Sequence, residues 1–353
     1  MATIAGSHFD ATASAITYPG GVNVVTTATG TGLPAAIPTD FNLEVYTGPA
    51  AGAPSAPFSG YQALSILTPG GYELQLLGSG FAVTDNGSSG GMFVTTSTAT
   101  GDTVTGGGGF DNLILNGSGN TANGGIGGGY IEVDGSGNTV NTGTGPQAVN
   151  VNSNNDTVNV GSGNNVISVR GSNTTVSGGT GSDTITATGN SENIAAGTGP
   201  ELINTTGTNE TVTGGSGNDT LNVFGNGDTI TGGSGTDVIG AYANNVSVTG
   251  GAGPSTVNAT GTGDTVTAGS GNMTINALGS TFQFNDSSNL YADTVVGFNQ
   301  SAGDRIHLTT DSVSDALANS QLVNGGQDTL ITLSDHSTIL LKGITSINSN
   351  FFN

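Results

Sequence analysis

The strongest constraint on this chain is a step of 18 residues. The string Gly106-Gly107-Gly108-Gly109-Phe110-Asp111-Asn112-Leu113-Ile114 fits G-G-x-G-x-D-x-U-x, with U a large aliphatic residue. The nine-residue windows opening at Gly178, Gly214 and Gly232 fit it too, and all these starts differ by multiples of 18. The same step lands on degenerate copies opening at Gly124, Thr142, Val160, Ala196, Gly250 and Ala268. A second, weaker nine-residue unit fills each gap, so residues 97–285 divide without insertion into 21 units of nine. A period of this size marks a repeat architecture: one unit cannot bury its own apolar face, and stacked units can.

The aliphatic position tests that frame. On one edge it holds Leu113, Ile131, Val149, Ile167, Ile185, Ile203, Leu221, Ile239, Val257 and Ile275. On the other it holds Val104, Ala122, Val140, Val158, Val176, Ile194, Val212, Ile230, Val248, Val266 and Phe284. In the first unit a further small or aliphatic residue follows two positions later, as in Leu115, Val133, Val151, Val169, Ala187 and Val223. A spacing of two is strand periodicity, with one face in and one face out. Each unit therefore reads as a Gly-rich turn and a short strand. Glycine is expected there for positive φ and for close stacking of successive turns. The fold expected is all-β, a solenoid of 18-residue coils over 97–285. A β-rich region at 1–96 would cap it or mediate assembly, and a cap at 286–353 would close the other end.

These units resemble those of the RTX (repeats-in-toxin) family. The resemblance implies a right-handed parallel β-roll with Ca²⁺ held in the turns by the repeat Asp and backbone carbonyls. Such chemistry is sound, because Ca²⁺ takes six to eight oxygens and Gly-rich turns leave carbonyls to offer. The sixth position of the 21 units is acidic in 11. One edge carries Asp183, Glu201, Asp219 and Asp237 in consecutive coils, and the opposite edge carries Glu192, Glu210 and Asp228. Val246, Met273 and Phe282 occupy the same position and offer no oxygen. Calcium is thus expected in the middle coils, between about 178 and 240 by the coordination chemistry above. The best site pairs Asp219 with Asp237 and uses carbonyls near Gly214, Gly215, Gly217, Gly232, Gly233 and Gly235. Glu201 follows a Pro and is one methylene longer, which makes its site doubtful. Turns with Asn, Ser or Thr at this position are expected to be metal-free ladders, and Asp can equally hydrogen-bond its own turn.

Outward positions beside the second aliphatic column form a flat Thr/Asn array, including Thr211, Thr213, Thr229, Thr231, Thr265 and Thr267. Threonine favours strands and solvates an exposed sheet without charge. A regular T-x-T surface also resembles that of β-solenoid ice-binding proteins, which supplies an alternative function.

Composition narrows the partners. The chain has 353 residues, 3 Lys+Arg against 25 Asp+Glu, a formal charge of −22 and no Cys. Arg170, Arg305 and Lys342 cannot neutralise a phosphate backbone or dock on anionic lipid, so neither nucleic acid nor membrane insertion is expected. Without Cys there are no disulfides and no thiolate sites. The opening residues have neither the basic nor the apolar segment of a Sec signal peptide. Residues 286–353 resemble the C-terminal cap of RTX proteins exported by type I secretion, with Ile347, Phe351 and Phe352 near the end. The segment 48–60, with Pro49, Pro54 and Pro57, reads as a loop or exposed arm.

No H-E-x-x-H, G-x-S-x-G or P-loop is present. Ser334-Asp335-His336 reads as a hairpin turn rather than a catalytic constellation. The reading is a secreted, non-enzymatic, calcium-binding protein that assembles with itself into a bacterial surface layer or an extracellular matrix filament. A cell-surface polysaccharide is a candidate anchor.

Overall fold

The computed structural model describes residues 79–85, 90–95, 97–277, 281–284 and 292–353, with the strands at 22–27, 41–46, 63–66 and 72–76. The Pro-bearing segment 48–60 lies outside the described residues. The chain is all-β, a parallel β-solenoid built of coils of about 18 residues, and among the described residues the helices are Val313–Ala318 and two single 3₁₀ turns. It divides into two compact units, residues 1–175 and 176–353.

In each unit the coils of the periodic stretch contribute one strand to each of two sheets, paired in parallel. The narrow sheet uses three-residue strands such as Thr103–Thr105, Thr121–Asn123 and Thr139–Asn141 in the first unit, and Thr211–Thr213, Thr229–Thr231 and Ser247–Thr249 in the second. The broad sheet uses strands of four or five residues, such as Gly129–Val133 in the first unit and Thr220–Val223 and Asp237–Ala241 in the second. The register follows the 18-residue step: Ile185 pairs with Ile203, Ile203 with Leu221, and Leu221 with Ile239. All four are fully buried, as are Ile194, Val212, Ile230 and Val248 facing them from the narrow sheet. The aliphatic columns are therefore the core, one rung per coil, with the alternate residues outside.

Parallel pairing reaches beyond the periodic stretch in both directions. Upstream, Val22 pairs with Phe41, Leu43 with Ala63, Ala63 with Ala82 and Ala82 with Thr103. Those steps run from 19 to 21 residues, so a fixed 18-residue frame does not register them. Downstream, Thr265 pairs with Thr281, Thr281 with Arg305, and Thr274 with Thr294. Here turns of other lengths join strands of the same kind. In the broad sheet of the second unit Thr338–Leu341 pairs in parallel with Ala292–Val296, and the sheet then ends in antiparallel strands, with Asp328–Thr332 between Thr338–Leu341 and Ser320–Val323. Phe352 bridges to Ile306, and Phe351 stacks on Phe298 at 5.3 Å, so the last residues fold back onto the second unit. Ser334-Asp335-His336 is the hairpin turn, with His336 at φ 72°.

Glycine has a different purpose in the two turns of each coil. A Cβ at Gly215 would strike the carbonyl oxygen of Gly197, and one at Gly233 that of Gly215. Gly217 and Gly235 stand in the same relation to Gly199 and Gly217. None of these four glycines has positive φ, so close coil stacking alone demands them, whereas Gly128 and Gly143 in Gly-rich turns of the first unit have φ of 89° and 76°. In the other turn left-handed backbone recurs once per coil. Gly101, Gly119, Gly137, Asn155 and Asn173 form its column in the first unit, and Ser191, Asn209, Gly227, Asn245 and Gly263 in the second, with φ between 57° and 75°. Gly and Asn alternate there because both tolerate that region.

Two substitutions separate these roles in chemical denaturation. Leu221→Ala should cost about 2–5 kcal/mol, the range for an emptied core site. Asn209→Gly should change little, whereas Asn209→Val should cost about 1–2 kcal/mol because a β-branched residue resists left-handed backbone.

Candidate functional site

Among the described residues the sixth-position side chains are buried, and the Asp and Asn residues share one bonding pattern. The side-chain oxygen accepts the backbone N–H of the sixth-position residue one coil earlier. Asn120 accepts from Asp102 at 2.8 Å, Asn138 from Asn120 and Asp156 from Asn138 at 2.7 Å, and Asn165 from Gln147 at 2.9 Å in the first unit. In the second unit Asp219 accepts from Glu201 at 3.0 Å, Asp228 from Glu210 at 2.8 Å, Asp237 from Asp219 at 3.1 Å, and Asp264 from Val246 at 3.0 Å. Asp293, outside the repeat, accepts from Met273 at 2.7 Å. Asp and Asn interchange here because each places one oxygen at the same reach.

In three of the four strict motif windows the Asp also takes a second N–H, from the second glycine of its own turn. Asp111 accepts from Gly107 at 2.6 Å, Asp219 from Gly215 at 2.9 Å, and Asp237 from Gly233 at 2.8 Å. Both carboxylate oxygens of Asp219 and of Asp237 thus already accept backbone hydrogen bonds. The carbonyls of Gly215 and Gly233 accept from Ser234 and Ala252 of the following coil, each at 2.9 Å. At Asp219 and Asp237 the motif Asp is a clamp between turns.

The glutamates differ. Glu192 and Glu210 are each only 1% exposed, and none of their four carboxylate oxygens has a hydrogen-bond partner. Glu201 is in the same condition, and Asp228 Oδ2 is likewise unpartnered. The N–H of Glu192 lies near enough to the Glu210 carboxyl, and that of Gly197 to the Glu201 carboxyl, to oppose the upward pKa shift, but neither closes a hydrogen bond of normal geometry. Gly207 leaves room for the Glu210 carboxyl, because a Cβ there would run into Glu210 Oε1. Asp183 is buried at the head of the other stack. Asp102 and Asp264, which also sit in the 18-residue column, each leave one buried oxygen without a partner, though sequence reading did not single them out.

Electrostatics follows from this burial. Glu210 is pushed from its ordinary 4.5 up to about 9, first by burial and then by the carboxylates of Glu192 and Asp228. Burial, then Asp219 and Asp183, lifts Glu201 to about 8. Asp228 rises to about 6, chiefly through burial. The three cations lie elsewhere: Arg170 donates to Asn152, Arg305 to the carbonyls of Gln300 and Asp304, and Lys342 pairs with Asp328 at 3.7 Å.

Among the described residues no three His, Asp or Glu side chains converge on one point as metal ligands. A cation in these stacks would therefore rest on carboxylates of adjacent coils together with backbone oxygens. Buried carboxylate oxygens without donors in Glu192, Glu210 and Asp228 fit such a role. The donor set is all oxygen, the chemistry of a hard divalent ion.

The array residues Thr211, Thr229 and Thr265 face outward in one row, with Ser247 between the last two. Thr213, Thr231, Thr249 and Thr267 form a second row. No family model, curated protein or solved structure matches this chain.

With chelator present, stability should fall as pH rises. A carboxyl whose folded pKa is raised is favoured protonated in the fold. Its contribution is complete below the ordinary 4.5 and disappears as pH climbs toward about 9 for Glu210. Thermal melts from pH 5 to pH 9 should show this decline, and Glu210→Gln, which cannot ionise, should flatten it.

Proposed function

We propose that this chain is a secreted, calcium-binding structural protein that assembles with itself into a bacterial surface layer or an extracellular matrix filament, with a surface polysaccharide as anchor. The observation that carries the calcium part is the stack of Glu192, Glu210 and Asp228, buried with five carboxylate oxygens lacking any donor. Without a cation that stack costs stability whenever it is ionised; a divalent ion converts the repulsion into attraction. Glu192, Glu210 and Asp228 would hold the ion on one edge. Asp183, Glu201, Asp219 and Asp237 would do so on the other, with turn carbonyls completing the shell. The ion supplies charge neutralisation and cross-links adjacent coils.

Secretion is supported by the resemblance of the repeats and of residues 286–353 to RTX proteins exported by type I secretion. Extracellular modules bind Ca²⁺ at about 10⁻⁴–10⁻³ M. A chain of this kind stays unfolded where calcium is scarce and folds where it is abundant. Self-assembly is supported by the solenoid architecture, since the end of a parallel sheet presents unpaired backbone groups to a second copy.

Electron microscopy with millimolar calcium and with chelator tests the reading. Ordered lattices or filaments that need calcium are the expected result; dispersed particles in both conditions would count against assembly. Titration calorimetry should show calcium uptake that falls in Glu192→Gln/Glu210→Gln.

The in-register rows Thr211/Thr229 and Thr213/Thr231 favour ice binding as a second reading. It requires thermal hysteresis that Thr213→Tyr/Thr231→Tyr abolishes.

A further inference from the structure

The outward face of the broad sheet in the second unit departs from its own pattern at one place. Along most of that face the outward residues are Thr and Asn. Thr184, Thr220, Thr256 and Thr274 stand in one row, and Asn204, Asn222, Asn258 and Asn276 in the next. The amides form ladders, with Asn222 donating to Asn204 at 2.9 Å and Asn276 to Asn258 at 2.7 Å. Between these two ladders the Asn is replaced by Gly240, which pairs with Asn222 on one side and Asn258 on the other.

Tyr242 explains the glycine. A Cβ at Gly240 would run into the Tyr242 ring, so the ring lies against the gap the missing side chain leaves. Gly240 is buried for that reason, although it occupies an outward position. One coil earlier Phe224 stacks on Tyr242, with ring centroids 5.0 Å apart and planes inclined by 25°. Both rings stay open to solvent, Phe224 at 51% and Tyr242 at 40%. Their counterparts in the neighbouring coils, Thr206 and Thr260, are too small to cover them. Leu202 and Val238 are exposed on the same face. An exposed aromatic pair seated against a glycine serves no core, and exposed apolar groups gathered at one place mark a contact surface.

The surroundings define what fits. No outward position of this face from Thr184 to Asn276 carries a charge. The rings offer an apolar platform, while the amides and hydroxyls beside it offer donors and acceptors. This combination complements a flat molecule with C–H groups on one face and hydroxyls at its rim. The flanking polar rows repeat once per coil, roughly every 4.8 Å in a parallel sheet, which suits a polymer rather than a single small molecule. Charge narrows the choice further. At a formal −22 the chain repels a polyanion, whereas a neutral partner meets no such barrier.

We propose that Phe224 and Tyr242, with the flanking Asn204, Asn222 and Asn258, form a binding site for a neutral polysaccharide. The site deepens the anchoring role proposed above, and it operates without calcium and without assembly.

Affinity electrophoresis tests it on dispersed full-length protein in chelator. The gels contain a neutral β-glucan, a neutral α-glucan or, as the polyanion, hyaluronate. Retardation by at least one neutral polymer and none by hyaluronate is expected. Phe224→Ala/Tyr242→Ala should weaken retardation by about tenfold or more, the scale of removing aromatic anchors. Gly240→Asn, which displaces the Tyr242 ring while extending the amide ladder, should also weaken it. Both variants should keep the wild-type circular dichroism and melting temperature, since the replaced groups are outside the core.

Equal retardation of wild type and double variant, or no retardation by either neutral polymer, would overturn the site. So would a double variant that loses only self-association, because the face would then be a contact between copies. Calcium-dependent lattices are read separately, so failure of assembly leaves this result intact.

Discussion

Everything in this fold depends on how closely one coil's backbone lies against the next. In the Gly-rich turns the approach is so tight that a single Cβ would meet a carbonyl oxygen, as at Gly215 against Gly197 and Gly233 against Gly215. That closeness lets each coil pass its N–H and C=O groups to its neighbours, so a Gly-rich chain with few charges still satisfies its buried backbone. It also gives the sixth-position side chain a fixed target, an N–H one coil away. Asp and Asn bond to it, and Glu192, Glu201 and Glu210 do not.

Glutamate turns that structural device into an electrostatic one. Where Asp219 and Asp237 occupy the column, both carboxylate oxygens bond to backbone. Where Glu192 and Glu210 occupy it in succession, buried carboxylate oxygens have no hydrogen-bond partner, and Glu210 is pushed up to about 9. A chain with three cations, all engaged elsewhere, has no internal means of relieving that stack. Asp219 and Asp237 hold turns together, and Glu192, Glu201 and Glu210 carry the unmet charge.

The outer faces follow a similar division between pattern and exception. Rows of Thr and Asn solvate the sheets and bond along the coil axis within each unit. Their regularity makes a departure conspicuous. Gly240 breaks an amide ladder, the Tyr242 ring occupies the opening, and Phe224 completes an aromatic pair on a surface otherwise made of hydroxyls and amides.

The 18-residue step, the two aliphatic columns and the acidic column were legible from residue order, because an inward-facing rung recurs at a fixed position in every coil. Ile185, Ile203, Leu221 and Ile239 are in line and buried for that reason. The pairings from Val22 to Thr103 in the first unit, and those from Thr265 to Arg305 in the second, were not legible, since steps of 16 to 24 residues break the period while the strands still pair. The left-handed column, in which Asn209 and Gly227 are equivalent, emerged only from backbone angles, because composition alone does not say which of two turns bends left. Which carboxylates are satisfied also required the tertiary structure. Asp219 and Glu210 look alike as acids in a column, but hydrogen-bond reach differs by one methylene, and only the distance between coils decides whether an oxygen meets its donor.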